Sequence, residues 1–305
     1  MKFIKRGQIY SPAQLNNGTT RLMCPTPILL NDNIIRVFIG FCDEKGISRP
    51  GYIDLNASNP SEVLNICQSP LLDIGKSGNF DDNGLCPTCV IQDINEIYFY
   101  YFGFQQLVKI PFYMFTGLAS SINLSSKWKR ESLVPVLDRT NEEPLMRSGA
   151  FVLKEDLTYK IYYPCGYDFI DVNGKQVHTY QIHYAESDNP KHWPANGRPI
   201  IMFQNEDEYG FGRPFIFKQK ESYIILYSIR TKSLGYRLGY AISKDSINWE
   251  RKDNFVGLEI GKAGEWDSEM MCYSSFIKTN GKSYLFYNGN NLGSTGFGYA
   301  ELMEE

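Results

Sequence analysis

The sequence predicts an all-β chain folded as a five-bladed β-propeller with four antiparallel strands in each blade. Three observations predict it. There are 21 Tyr and 19 Phe among 305 residues, and aromatic side chains suit half-buried pleated surfaces rather than helices. A short motif ending in Tyr-Ala or its equivalent recurs as Gly117-Leu118-Ala119, His183-Tyr184-Ala185, Gly239-Tyr240-Ala241 and Gly298-Tyr299-Ala300, with the alanines 66, 56 and 59 residues apart. Gly51-Tyr52-Ile53 reads as a divergent fifth copy, 66 residues before the first. Finally, each copy is preceded by the same pair of apolar segments.

The repeating unit starts with a short apolar strand: Pro27–Leu30, Pro87–Ile91, Ala150–Leu153, Pro214–Phe217 and Ser275–Ile277. An aromatic strand follows, as in Ile97–Tyr101, Tyr159–Tyr163, Tyr223–Tyr227 and Tyr284–Tyr287. Asn280-Gly281 and Asp32-Asn33 are the turn residues expected of tight hairpins between these two strands. The Tyr-Ala strand is third, and in the middle copies a polar turn then leads to Trp128, Trp193 or Trp249. The expected organisation is one domain over residues 1–305, with blades at 20–66, 84–130, 147–195, 212–252 and 271–305 and a closing segment at 1–19. A two-sheet sandwich is the alternative architecture, but it does not predict a 60-residue repeat.

Charge and composition exclude several classes of partner. The net charge is -3 and no run of five Lys or Arg occurs, so the basic footprint of a nucleic-acid binder is missing. Met1–Tyr10 carries Lys2, Lys5 and Arg6 with no apolar stretch behind them, unlike a signal peptide. No apolar run is long enough for a membrane helix, and a cytoplasmic location is expected. Seven scattered cysteines do not form an even, dense disulfide framework. Cys86 and Cys89 make a C-x-x-C, but without a second pair they read as packed, metal-free thiols at the start of a strand.

In a propeller the innermost strand of each blade starts near the axis, so the residues just before it face a common funnel. These stretches contribute Asp81 and Asp82, Arg147 and Ser148, Glu208 and Arg213, and Asp267 and Glu269. The second strands and their ends add Tyr163, Arg230, Asn288 and Asn290. Carboxylates and guanidiniums converging on a concave site suit sugar or phosphate chemistry.

The segments FDDNGLCPTCV, SKDSINW, EYGFGRPFI and WDSEMMCYSSFIKTNGKSYLFYNGNNLGSTGFGYA resemble the propeller superfamily of glycoside hydrolase families 32, 43 and 130. The resemblance covers nearly the whole chain and looks closest to the stand-alone propellers of bacterial surface-polysaccharide gene clusters. It implies a base Asp on the first blade, a supporting Asp on the second and an acid Glu on the third. Only the second has a counterpart, Asp82; Arg21–Pro25 and Met146–Gly149 lack the other two.

Members of this group also include glycan phosphoribosyltransferases. The resemblance therefore implies a transferase taking phosphoribose from phosphoribosyl diphosphate to a glycan acceptor. Arg147, Arg213 and Arg230 would hold phosphate. Asp82, Glu269 and Asp267 would do the chemistry, with Mg2+ at Asp82 as a possible companion of the diphosphate. The alternatives are a hydrolase or phosphorylase using Asp82 and Glu269, and a non-catalytic carbohydrate-binding propeller.

Overall fold

The computed structural model describes residues 2–94 and 96–303 and is 56% strand and 4% helix, in line with the all-β expectation. Strand β1 (Lys2–Tyr10) opens the chain. The first blade is β2 (Arg21–Asn31), β3 (Ile34–Cys42), β4 (Ser48–Asn56) and β5 (Asn59–Cys67). The second is β6 (Leu85–Gln92), β7 (Ile97–Gln106), β8 (Phe112–Ser121) and β9 (Lys129–Arg130). In the third, an interrupted inner strand, β10 (Met146–Arg147) and β11 (Phe151–Glu155), precedes β12 (Thr158–Val172), β13 (Lys175–Ser187) and β14 (Arg198–Ile201). The fourth comprises β15 (Glu208–Gln219), β16 (Ser222–Thr231), β17 (Arg237–Ser243) and β18 (Glu250–Arg251). The fifth has β19 (Cys272–Thr279), β20 (Lys282–Asn288) and β21 (Phe297–Met303).

The fourth strand of this last blade is β1, which pairs antiparallel with β21 from Lys2 opposite Met303 to Tyr10 opposite Phe297. Pairing the two ends of the chain within one blade closes the ring and leaves β1 as the outer strand of that blade. Among the described residues no helix is long and apolar enough to cross a membrane.

Hairpin chemistry follows the sequence. Asn280 (φ 48°) and Gly281 (φ 74°) both take the left-handed conformation that a two-residue type I′ turn demands. Asn173 and Gly174 do the same at the tip of the long β12–β13 hairpin.

The doubled tyrosines of the second strands are explained by strand alternation, which sends consecutive side chains to opposite faces. In the third blade Tyr162 reaches the next blade, donating to the Ser246 carbonyl at 2.9 Å. Tyr163 turns inward within its own blade and donates to Glu143 at 2.9 Å. In the second blade Tyr100 likewise bonds the Pro190 carbonyl of the next blade, whereas Tyr101 donates to Asp81 at 3.1 Å.

The inward tyrosine belongs to a staple that recurs around the ring. Asp81 also pairs with Arg130 at 2.7 Å, Glu143 with Arg147 at 2.5 Å, and Asp267 with both Lys5 at 2.7 Å and Tyr287 at 3.0 Å. In the fourth blade Arg251 joins Glu208 and Asp253, and Tyr227 donates to Asp253 at 2.7 Å. Each staple ties the start of the inner strand, or the segment before it, to the second strand, and in three of them to the outer strand too. The same tyrosines account for the small residue of the repeated motif, because Tyr101, Tyr227 and Tyr287 lie directly opposite Gly117, Gly239 and Gly298. A Cβ on Gly239 would lie 2.3 Å from the Tyr227 ring, closer than any side chain tolerates.

The C-x-x-C does not act as a unit. A register shift between Pro87 and Cys89 parts the two side chains: Cys86 Sγ lies 3.0 Å from Ser48 Oγ and Cys89 Sγ packs on the Val152 backbone at 3.5 Å.

Asp267 is 1% exposed and holds the closing strand through Lys5, so its charge matters to ring closure. Asp267→Asn is expected to lower unfolding stability in urea by about 1.5–3 kcal/mol, the typical worth of hydrogen bonds to a charged group. Glu269→Gln, two residues away on an exposed side chain, should leave the urea midpoint within about 0.5 kcal/mol of the parent. Equal midpoints for both variants would remove Asp267 from the closure.

Candidate functional site

Side chains from all five blades line one cavity of about 460 Å3, which places it on the propeller axis. Its walls are aromatic and sulfur-rich, including Phe102, Phe104, Phe112, Tyr180, Tyr236 and Met114. Its charged groups are Arg21, Arg213 and Arg230, joined by the imidazole of His178. Among the described residues that line it there is no Asp or Glu.

Arg213 sits in the left-handed backbone region at φ 46°, an uncommon conformation for a residue with a Cβ. That turn of the chain sends its guanidinium across the axis. Nη1 donates to the carbonyls of Tyr273 (2.6 Å) and Ser274 (3.2 Å) in the fifth blade. Nη2 donates to the Pro25 carbonyl (2.8 Å) and the Thr26 hydroxyl (2.6 Å) in the first. Nε has no partner. All the acceptors are neutral, and burial pushes the guanidinium pKa below its usual value.

Arg230, from the end of β16, lies over the rings of Tyr209 and Tyr236 at 5.1 and 5.5 Å. The Tyr236 hydroxyl is hydrogen-bonded to that of Tyr180 at 2.8 Å. His178 stands on β13 two residues before Tyr180 and so on the same face of the strand. It is 4% exposed, its ring 4.4 Å from that of Phe169, and its Nε2 has no partner. Burial, reinforced by the Arg230 charge, lowers its pKa to about 4.

Of the residues the sequence pointed to, Ser148, Arg213 and Arg230 line the cavity. The others are drawn elsewhere. Asp81, Glu208, Asp267 and Tyr163 belong to the blade staples, because a carboxylate just before an inner strand is within reach of the tyrosine and cation of its own blade. Arg147 is 3% exposed and pinned by Glu143, the Asp138 carbonyl at 2.7 Å and the Tyr163 hydroxyl at 3.2 Å, so it offers nothing to a ligand phosphate. Asn288 joins the fifth blade to the first, donating to the Leu22 carbonyl at 2.6 Å and accepting from Cys24 N–H at 2.8 Å. Asn290 clips its own loop by accepting from Glu269 N–H at 2.8 Å. Glu269 is exposed, and Asp82 accepts from Gly78 N–H at 2.7 Å; neither lines the cavity.

Two residues are not among the candidates that the sequence singles out. Glu143 lies four residues before Arg147, outside the stretch that directly precedes the third blade's inner strand. Its signal was a spacing of twenty, since Asp81–Tyr101, Glu143–Tyr163 and Asp267–Tyr287 share it. Burial opposes the charge of Glu143, but hydrogen bonds from His183 and Gly197 and the Arg147 charge prevail and hold its pKa below the usual carboxylate range. His178 reads in the sequence only as one of three histidines on a hairpin arm and its exit, because it reaches the axis through the extended β12–β13 hairpin.

Among the described residues one set of metal-ligating atoms converges, those of Glu143, Cys165 and His183. Arg147 and His183 both hold the Glu143 carboxylate, which leaves it no role for a cation. Asp82 is in no such set.

No protein-family model matches the chain. Two relatives from Mycobacterium tuberculosis strains, the uncharacterized proteins Rv1502 and MT1551, are each 25% identical over 303 residues, covering 99% of this chain and 99% of their own. Among solved structures, a glycoside hydrolase superposes with a TM-score of 0.73 at 18% identity, covering 99% of this chain and 92% of that one. A thermostable family-43 glycoside hydrolase gives 0.69 at 16% identity, covering 94% and 91%. An α-L-arabinofuranosidase from Lactobacillus brevis gives 0.68 at 10%, covering 95% and 93%. At these identities the likeness is one of fold.

These neighbours correct the expectation of a phosphoribosyl-transferring enzyme. The propellers that superpose on this chain carry the names of glycoside hydrolases, which favours the hydrolase-type alternative. The structure removes a physical support of the transferase reading as well, since Arg147 and four of the five N–H groups of Arg213 are already committed within the protein.

Arg213 and Arg230 should separate cleanly in stability. Arg213→Ala leaves four buried acceptors without their donor and is expected to cost about 2–5 kcal/mol in urea unfolding. Arg230→Ala should cost about 1 kcal/mol or less, because its ring contacts are replaceable. The order reversed would mean that Arg230 holds the blades.

His178 sets an acid limit. Its folded pKa of about 4 lies below the unfolded value of about 6.5, so on acidification the unfolded chain takes up the proton first. Its contribution is therefore complete above about pH 6.5 and is lost progressively down to about pH 4. By about pH 5 the loss amounts to about 2 kcal/mol. Urea midpoints of the parent and of His178→Gln at about pH 7.5 and pH 5 check this: the parent should fall further.

Proposed function

We propose that this chain is a glycoside-directed propeller whose central cavity takes up a saccharide carrying a negative charge. One observation carries the reading: the guanidiniums of Arg21 and Arg230, beside the charge of the internally bonded Arg213, line an aromatic-walled cavity that has no carboxylate among its described lining residues. Aromatic faces suit the apolar faces of sugar rings, and a few convergent polar groups set orientation in such sites. Guanidiniums left without carboxylate partners suit a uronate, sulfate or phosphate substituent. The fold shared with glycoside hydrolases supports a glycoside as the ligand.

A second reading, hydrolysis of the glycosidic bond, is favoured by Asp82. Its Oδ1 is buried without a partner, next to Asn83, which does line the cavity. Hydrolysis of the usual kind needs a second carboxyl group about 5 to 9.5 Å away, and the cavity walls provide none among the described residues.

Calorimetry with oligogalacturonate, a hexose phosphate and neutral arabino-oligosaccharides tests the first reading. The charged ligands should bind at least about ten-fold more tightly than the neutral ones, equivalent to about 1.4 kcal/mol, and the difference should shrink as salt is raised. Equal binding of the neutral sugar would overturn it. Release of reducing ends by the parent protein, abolished in Asp82→Asn, would promote the hydrolase reading.

A further inference from the structure

Within the cavity, the strongest unmet demand for a ligand lies at two of its lining residues, His178 of β13 and Arg230 of β16. His178 Nε2 is a buried polar atom with no partner, and a buried polar group left unpaired is costly. Arg230, which lines the same cavity as His178 and whose charge acts on its imidazole, has no carboxylate paired with it among the described residues; its neighbours include the rings of Tyr209 and Tyr236 and the Tyr180 hydroxyl. The remaining neighbours of His178 do not answer either group. Phe112 and Tyr113 of β8 and Phe169 of β12 present ring faces. Tyr180, on the same face of β13, shares its hydroxyl between Tyr236 and Arg230 and supplies neither with a carboxylate.

We propose that the negatively charged substituent of the ligand seats between the Arg230 guanidinium and the His178 ring, and that His178 takes up a proton as it binds. The proposal rests on the anionic-saccharide reading and adds the place of the charge and a consequence for pH. In the free protein burial of the ring and the Arg230 charge both oppose an imidazolium at this position, so the ring stays neutral. An oxyanion reverses the local field. It accepts one hydrogen bond from the guanidinium and one from Nε2–H, and it pairs the second positive charge that was disfavoured without it. Binding and protonation are then linked, so each favours the other by the same factor.

Sulfate is a suitable probe, because its own charge does not change over the range tested. Its affinity is measured at constant ionic strength from about pH 7.5 to about pH 5.5, with the three histidine ring signals followed by NMR. The inference expects sulfate to bind more tightly as pH falls, approaching ten-fold per unit where one proton is taken up. The His178 signal should titrate at higher pH with sulfate than without, while His192, exposed on a loop, does not move. His178→Gln should bind with affinity independent of pH, and Arg230→Ala should lose at least about ten-fold at every pH.

A pH-independent sulfate affinity in the parent overturns the inference, as does an unmoved His178 signal on saturation. Undetectable sulfate binding across the range also counts against it. The same variants titrated with oligogalacturonate separate the two failures. If oligogalacturonate binds the parent, His178→Gln and Arg230→Ala alike, the anionic cavity stands and this placement falls. If it binds none of them, the reading beneath the placement falls too.

Discussion

The guanidinium of Arg213 is the interaction on which the centre of this molecule depends. A propeller ring must bring its inner strands together at the axis, where backbone carbonyls converge with few amide partners, and buried carbonyls left unpaired cost free energy. One left-handed arginine in the fourth blade answers the fifth blade and the first at once. An ammonium could not do this, because the planar fork sends fixed donors in two directions. The arrangement satisfies the carbonyls without neutralising the charge, and it leaves a positive centre at the floor of the cavity.

That uncompensated charge shapes the rest of the site. Acidic side chains nearby would have neutralised it, yet three carboxylates on the approach to the axis, Asp81, Glu143 and Asp267, are turned into their own blades. There a tyrosine from the second strand and a cation from the outer strand or the same approach hold each of them. The division of labour is spatial: negative charge is spent inside the blades on holding strands together, and positive charge is left for the funnel. Neutral acceptors around Arg213 and aromatic faces around Arg230 preserve that positive character. The fold shared with glycoside hydrolases therefore carries, in this chain, a funnel of the opposite charge from the one that paired-carboxylate hydrolysis uses.

The sequence by itself determined the ring. The Tyr-Ala repeat, the aromatic second strands and the Asn-Gly turn are local features, and local features are legible because periodicity and turn geometry depend on neighbours in the chain. It also placed Ser148, Arg213 and Arg230 at the axis, since the start of an inner strand and the end of a second strand must lie there in any propeller. Only the tertiary structure decided which charges were free. By position Asp81 and Asp267 read as funnel acids, but Tyr101 and Tyr287, Arg130 and Lys5, distant in sequence, hold them. Arg147 and Arg213 look alike in the sequence, yet one is neutralised by Glu143 and the other rests on neutral carbonyls. His178 joined the site through a long hairpin whose reach no periodicity encodes. Charge pairing is a through-space property at distances of about 3 Å, and a linear sequence does not record which groups come that close.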